Sequence, residues 1–99
     1  LAVLKLHGKK NSNYMSFPLS GYSLAMDFPY SNRIELILAE LDKIVLKFSG
    51  RVYLSKDTRL PRYYFTKFYK QFNEVIKVRK KYNIFNFCSN QSKRIGIDD

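Results

Sequence analysis

The segment "SNRIELILAELDKIVLKFSG", residues 31–50, constrains this chain most. Ile34, Ile37, Leu38, Leu41, Val45 and Phe48 recur at helical spacing, while Glu35, Glu40, Asp42, Lys43 and Lys47 fall largely elsewhere. Asn32 is placed to cap the helix, Glu35 three residues on completes a capping box, and Gly50 is a natural C-terminal stop. A helix with one apolar stripe is stable only when that stripe is buried on a second layer. The expectation is that it covers a sheet and carries no chemistry.

The sheet has candidate strands. Residues 1–7 are a short apolar stretch ended by the loop "GKKNSN". In "YSLAMDFPY", Tyr22, Leu24, Met26, Phe28 and Tyr30 alternate with the small Ser23 and Ala25 and with Asp27. A strand face of small residues either packs under a helix or leaves room for a ligand. "RVYLSKD" reads as a further strand, with Val52 and Leu54 on one face and Arg51, Tyr53 and Ser55 on the other. Beyond Pro61, which suits a first helical turn, Tyr64, Phe65, Phe68, Phe72, Val75 and Ile76 predict a second helix over 62–82. Its exposed positions are almost all Lys or Arg, and the two Phe residues of "IFNFC" are expected to tuck into the core. The order is therefore strand, strand, helix, strand, helix, tail: an α+β fold in which helices cover one face of a small antiparallel sheet.

Composition limits the function. The 99 residues suffice for one modest core. The chain opens on Leu1 rather than Met, which suggests a fragment or a processed piece. The net charge of +10 is uneven: residues 1–50 carry six basic and four acidic side chains, and 51–99 carry twelve and four. Such a surplus suits nucleic acid, anionic lipid or a phosphorylated substrate, and equally a composition-biased surface. The aromatics of 62–82 sit at core spacing rather than as base-stacking platforms, which weighs against nucleic acid. A single cysteine, Cys88, and a single histidine, His7, allow no disulfide framework and no zinc cluster, leaving only a bare Cys/His pair to consider. No apolar run approaches the ~20 residues that span a bilayer, so a cytoplasmic or peripheral location is expected. Glycine fingerprints for nucleotides, phosphate loops and nucleophile elbows are absent from the sequence. What remains is the end of the "RVYLSKD" segment, where Lys56 is either a solvated surface lysine or, with Tyr53, a group aimed at an anionic or electron-rich ligand.

Taken together, "SFPLSGYSLAMDFP", one helix, "SGRVYLSKDTR", an aromatic-rich helix and "VRKKYN" resemble the C-terminal part of the FAD-linked oxidoreductases of the vanillyl-alcohol-oxidase type. Within them the similarity points to the branch that oxidises a secondary hydroxyl of a lipid-phosphate-linked pentose. It covers essentially the whole chain, with "GYSLAMDFP" and "GRVYLSKDTR" as its most specific parts. The resemblance implies a two-domain flavoprotein with FAD held mainly by a domain outside this chain, in the same protein or a split subunit, and a separate reductase as partner. Residues 1–99 would then be the end of the substrate domain, unable to bind FAD tightly or turn over alone. By position, the resemblance assigns Tyr53 and Lys56 to the cofactor, with Lys56 as the catalytic group. It assigns Lys5, Ser23 and Ala25 to the substrate pocket. Asp57 and Arg59 are expected to pair structurally. The sequence departs from the family pattern at Asn83-Ile84 (commonly Asp-Pro), at Asn90 (commonly acidic) and at Lys70 (commonly proline). Two other readings stay open: a basic binding module using 62–82 and 93–94, and a folded remnant without its partner domain.

Overall fold

A computed structural model describes residues 1–98. Two strands, β1 (Ala2–His7) and β2 (Gly21–Met26), form an antiparallel hairpin. Four helices follow: α1 (Ile34–Lys47), α2 (Arg62–Phe68), α3 (Phe72–Lys81) and α4 (Asn90–Ile95), with a single 3₁₀ turn, Leu54–Lys56, between α1 and α2. The α+β class with a small antiparallel sheet is what the sequence predicts. The core, however, lies among the helices rather than under the sheet.

Leu60, Phe65, Phe68, Tyr69 and Ile95 form that core, joined by the half-buried Val45 and Leu46 of α1. On the hairpin, Leu4, Leu6, Tyr22 and Leu24 share one face by register and all stay more than half exposed. The helices therefore pack on one another and leave this sheet face bare. Phe28 and Tyr30 lie past the end of β2, so the alternation read through Tyr30 stops at Met26.

Three further local expectations change. The "RVYLSKD" segment is not a strand, because its carbonyls are taken by side chains instead of a neighbouring strand: Tyr69 Oη donates to Val52 O at 2.7 Å and Gln91 Nε2 to Leu54 O at 2.6 Å. The helix read over 62–82 breaks at residues 69–71, where Tyr69 leaves helical geometry (φ −113, ψ 75) and its ring is buried under α2. The tail does enter the core, but through Ile95 of α4 and not through Phe85 and Phe87, which are exposed. α4 has the local signals for a short helix: Ser89 and Ser92 form a reciprocal capping box, and Gly96 ends it at φ 78.

The ends of α1 also differ. Its first cap position is Arg33, without a side-chain cap, so the Asn32–Glu35 box does not form. At the other end Ser49 N donates to Leu46 O and Gly50 N to Val45 O, which is the Schellman pattern. The residue forced into the left-handed region is thus Ser49 (φ 57), one position before the glycine. A Ser49→Gly variant relieves that strain and is expected to raise stability by about 1 kcal/mol in urea unfolding.

Candidate functional site

In an antiparallel pair, residues directly opposite one another share a face. The register sets Lys5 opposite Ser23 and Val3 opposite Ala25, so Lys5, Ser23 and Ala25 stand together on one side of the hairpin, away from the bare apolar face. His7 joins them: its Nε2 lies 2.7 Å from Ser23 Oγ across the strands. When Nδ1 carries the ring proton, the Ser23 hydroxyl donates to Nε2 and its own oxygen keeps its acceptor capacity outward.

From His7 a run of rings leads to the Tyr53 turn. Phe17 meets His7 edge-on, with centroids 5.9 Å apart, and packs against Tyr53 at 5.0 Å. Tyr53 is half exposed, and the backbone N–H of Lys56 donates to its carbonyl at 3.3 Å. That bond closes the turn, with Leu54–Lys56 in 3₁₀ geometry and Tyr53 as its extended cap (φ −76, ψ 110). A strand would have put an odd number of steps between Tyr53 and Lys56 and sent them to opposite faces. The turn instead links the two residues through the backbone, Lys56 N–H to Tyr53 O. Lys56 is exposed and makes no ion pair among the described residues.

The turn is held from several sides. Asp57 Oδ1 accepts the backbone N–H groups of Arg59 (3.0 Å) and Leu60 (2.8 Å). Arg94 Nη2 lies 2.9 Å from Asp57 Oδ2, close enough for an ion pair though not aligned as a hydrogen bond. Arg94 Nη1 donates to Leu60 O at 2.7 Å. Asp57 and Arg59 do not pair through their side chains: the Arg59 guanidinium turns instead to Asp42 on α1, at 2.6 Å. This is why Asp42, read from the sequence as lying off the apolar face, is buried at 3% exposure. Around the Tyr69 hydroxyl, burial pushes its pKa up to about 12, so it stays a donor to Val52 at any physiological pH.

Burial pushes the Asp57 carboxyl up, but the N–H groups of Arg59 and Leu60 and the Arg94 charge more than offset this and hold it below its usual value of 3.8. A depressed carboxyl contributes stability that is present above the usual value and is lost as pH falls through the lower, folded one. Urea unfolding of wild type is thus expected to weaken as pH drops below about 4, and Asp57→Asn to flatten that decline.

Sequence reasoning missed His7 and Phe17 as members of this arrangement. The sequence offers His7 only Cys88 as a partner, and Cys88 is free and exposed. The signal available was parity: residues 5 and 7 lie on the same strand face. No three His, Cys, Asp or Glu side chains gather as a metal site among the described residues, and no described helix is long and apolar enough to cross a membrane.

No protein-family model matches the chain. Over 98 residues, 98% of its length, it is 34% identical to a curated relative, decaprenylphosphoryl-beta-D-ribose oxidase of Mycolicibacterium smegmatis. The chain spans 21% of that relative's length. The resemblance read from "GYSLAMDFP" and "GRVYLSKDTR" has here a named counterpart that runs along essentially all of this chain.

Proposed function

We propose that this chain is the C-terminal substrate-domain part of an FAD-linked oxidoreductase of the vanillyl-alcohol-oxidase type, related to decaprenylphosphoryl-β-D-ribose oxidase and oxidising a secondary hydroxyl of a sugar. The substrate class is a pentose carried on a polyprenyl phosphate. The observation that carries this reading is the juxtaposition of two segments: the Lys5, Ser23 and Ala25 face reaches the Tyr53–Lys56 turn through His7 and Phe17.

These residues suit a flavin docked from another domain. Lys56 offers an exposed cation with no carboxylate competing for it among the described residues, and Phe17 and Tyr53 offer a partly exposed ring pair beside it. Bound FAD would supply the hydride acceptor. This chain's own residues orient and stabilise. Lys56 balances negative charge on the ring system or the substrate oxygen. Tyr53 sets one wall, and Lys5 faces the phosphate-bearing end of the substrate. Ser23, held by His7, presents a hydroxyl with a fixed direction, and Ala25 leaves space beside it. A flavin domain in the same protein or a split subunit, and a separate reductase, are the partners this reading calls for.

The test is the visible absorption spectrum of the purified full-length protein. An oxidised-flavin band that a lipid-linked or soluble pentose substrate bleaches anaerobically is the expected result. A colourless protein, reconstituted with FAD and still colourless, would overturn the reading.

A further inference from the structure

A cavity of about 600 Å³ opens between the loop that follows β1 and the junction of α2 with α3. Four cations line it, Lys10, Arg51, Lys67 and Lys70, and no Asp or Glu among the described residues does. Their charges are not spent elsewhere on carboxylates. Arg51 Nη1 donates to Ser16 O at 2.7 Å and its guanidinium lies 5.1 Å over the Tyr69 ring, while its Nε is buried without a hydrogen-bond partner. Lys67 Nζ sits 5.8 Å from the Tyr63 ring, an exposed contact worth little. Lys10 and Lys70 are exposed and join no ion pair among the described residues.

Four like charges around one concavity repel each other and focus a positive potential into it. A bound anion relieves that repulsion. We propose that this cavity binds a phosphate group. Phosphate carries about −1.5 to −2 charges and several acceptor oxygens, so one group can serve a guanidinium and several ammonium groups at once. A carboxylate, with one charge and two oxygens, satisfies fewer of them. Phe68 and Leu46 on the same lining give an organic phosphate apolar wall to rest on. The site stands apart from the flavin reading: its residues are not those placed around Tyr53 and Lys56, and its occupancy requires no turnover. The phosphate belongs either to a small soluble molecule or to a lipid headgroup, since both present the same chemistry.

The experiment uses the full-length protein with two probes: inorganic pyrophosphate, followed by titration calorimetry, and phosphatidylcholine vesicles with and without phosphatidylglycerol, followed by co-sedimentation. Two variants remove equal charge, Lys67→Gln/Lys70→Gln at the cavity and Lys80→Gln/Lys81→Gln at the end of α3. All four lysines are exposed, so both variants should unfold as wild type does. The expected result is pyrophosphate binding that weakens about tenfold or more in the cavity variant, as for loss of one charge-assisted hydrogen bond, and is nearly unchanged in the other. If pyrophosphate fails to bind but phosphatidylglycerol vesicles are held and the cavity variant releases them, the site stands and its phosphate comes from lipid. Equal weakening in both variants, or no binding of either probe, overturns it. None of these readings depends on flavin content, so failure here is distinguishable from failure of the proposed activity.

Discussion

A Lys56→Met variant of the full-length protein is expected to lose about 10²- to 10³-fold in kcat, the usual consequence of removing one charge-stabilising donor from a reaction centre. Its unfolding midpoint should not move. The side chain is exposed and has no partner among the described residues, so nothing in the fold is released when the ammonium is removed. Methionine keeps the length of the stem and deletes only the charge. Lys56→Arg restores the charge in a broader, planar group and should recover part of the rate. An unchanged kcat in Lys56→Met would return the residue to the solvated surface lysine that its composition alone suggests.

The largest effect on stability is expected at Arg59. Its guanidinium meets Asp42 at 2.6 Å, and the Asp42 side chain is only 4% exposed. The hydrogen bond to Asp42, against the opposing effect of burial, holds the Arg59 pKa above its usual value. Taking Arg59 away strands a carboxylate inside the helix layer, and Arg59→Met should destabilise by about 3 kcal/mol, the lower end for a broken buried pair, because 19% of the arginine side chain still meets water. The double variant Asp42→Leu/Arg59→Met should recover most of this, since an apolar pair of similar volume removes the desolvation penalty along with the attraction. Glu35, 3.4 Å from Arg59 but 66% exposed, contributes little, and Glu35→Gln should fall within about 0.5 kcal/mol of wild type. Urea unfolding of the three variants separates these outcomes. A double variant as unstable as Arg59→Met would show that the loss comes from packing of the arginine stem instead.

How much of this was legible in the sequence varies with the range of the contacts involved. α1 and the two hairpin strands follow from periodicity, because their patterns are local and long enough to repeat. The alternation within β2 alone makes Ser23 and Ala25 face-mates. The break at 69–71 was not legible: no proline or glycine stands there, and Tyr69 leaves the helix to reach a carbonyl seventeen residues away. The turn at Leu54–Lys56 was misread as a strand for a similar reason, since its alternation is real but its carbonyls are claimed by Tyr69 and Gln91. α4 could have been found, as "SNQSKRIG" carries both the serine pair of a capping box and a terminal glycine. Asp42 could not: an acid on an amphipathic helix is ordinarily solvent-facing, and only Arg59, distant in sequence, inverts that.

The grip of α4 on the Tyr53–Lys56 turn also fixes an order in time. Gln91, which donates to the Leu54 carbonyl, is made 37 residues after it. At about 5–20 residues per second, translation leaves the turn without this clamp for roughly 2–7 s after Leu54 is joined. Lys56 thus spends that interval in a nascent chain whose turn still lacks its α4 clamp. A chain cut before residue 90 would hold every residue assigned to the site, yet lack the Gln91 and Arg94 contacts that clamp the Leu54–Lys56 turn and Asp57.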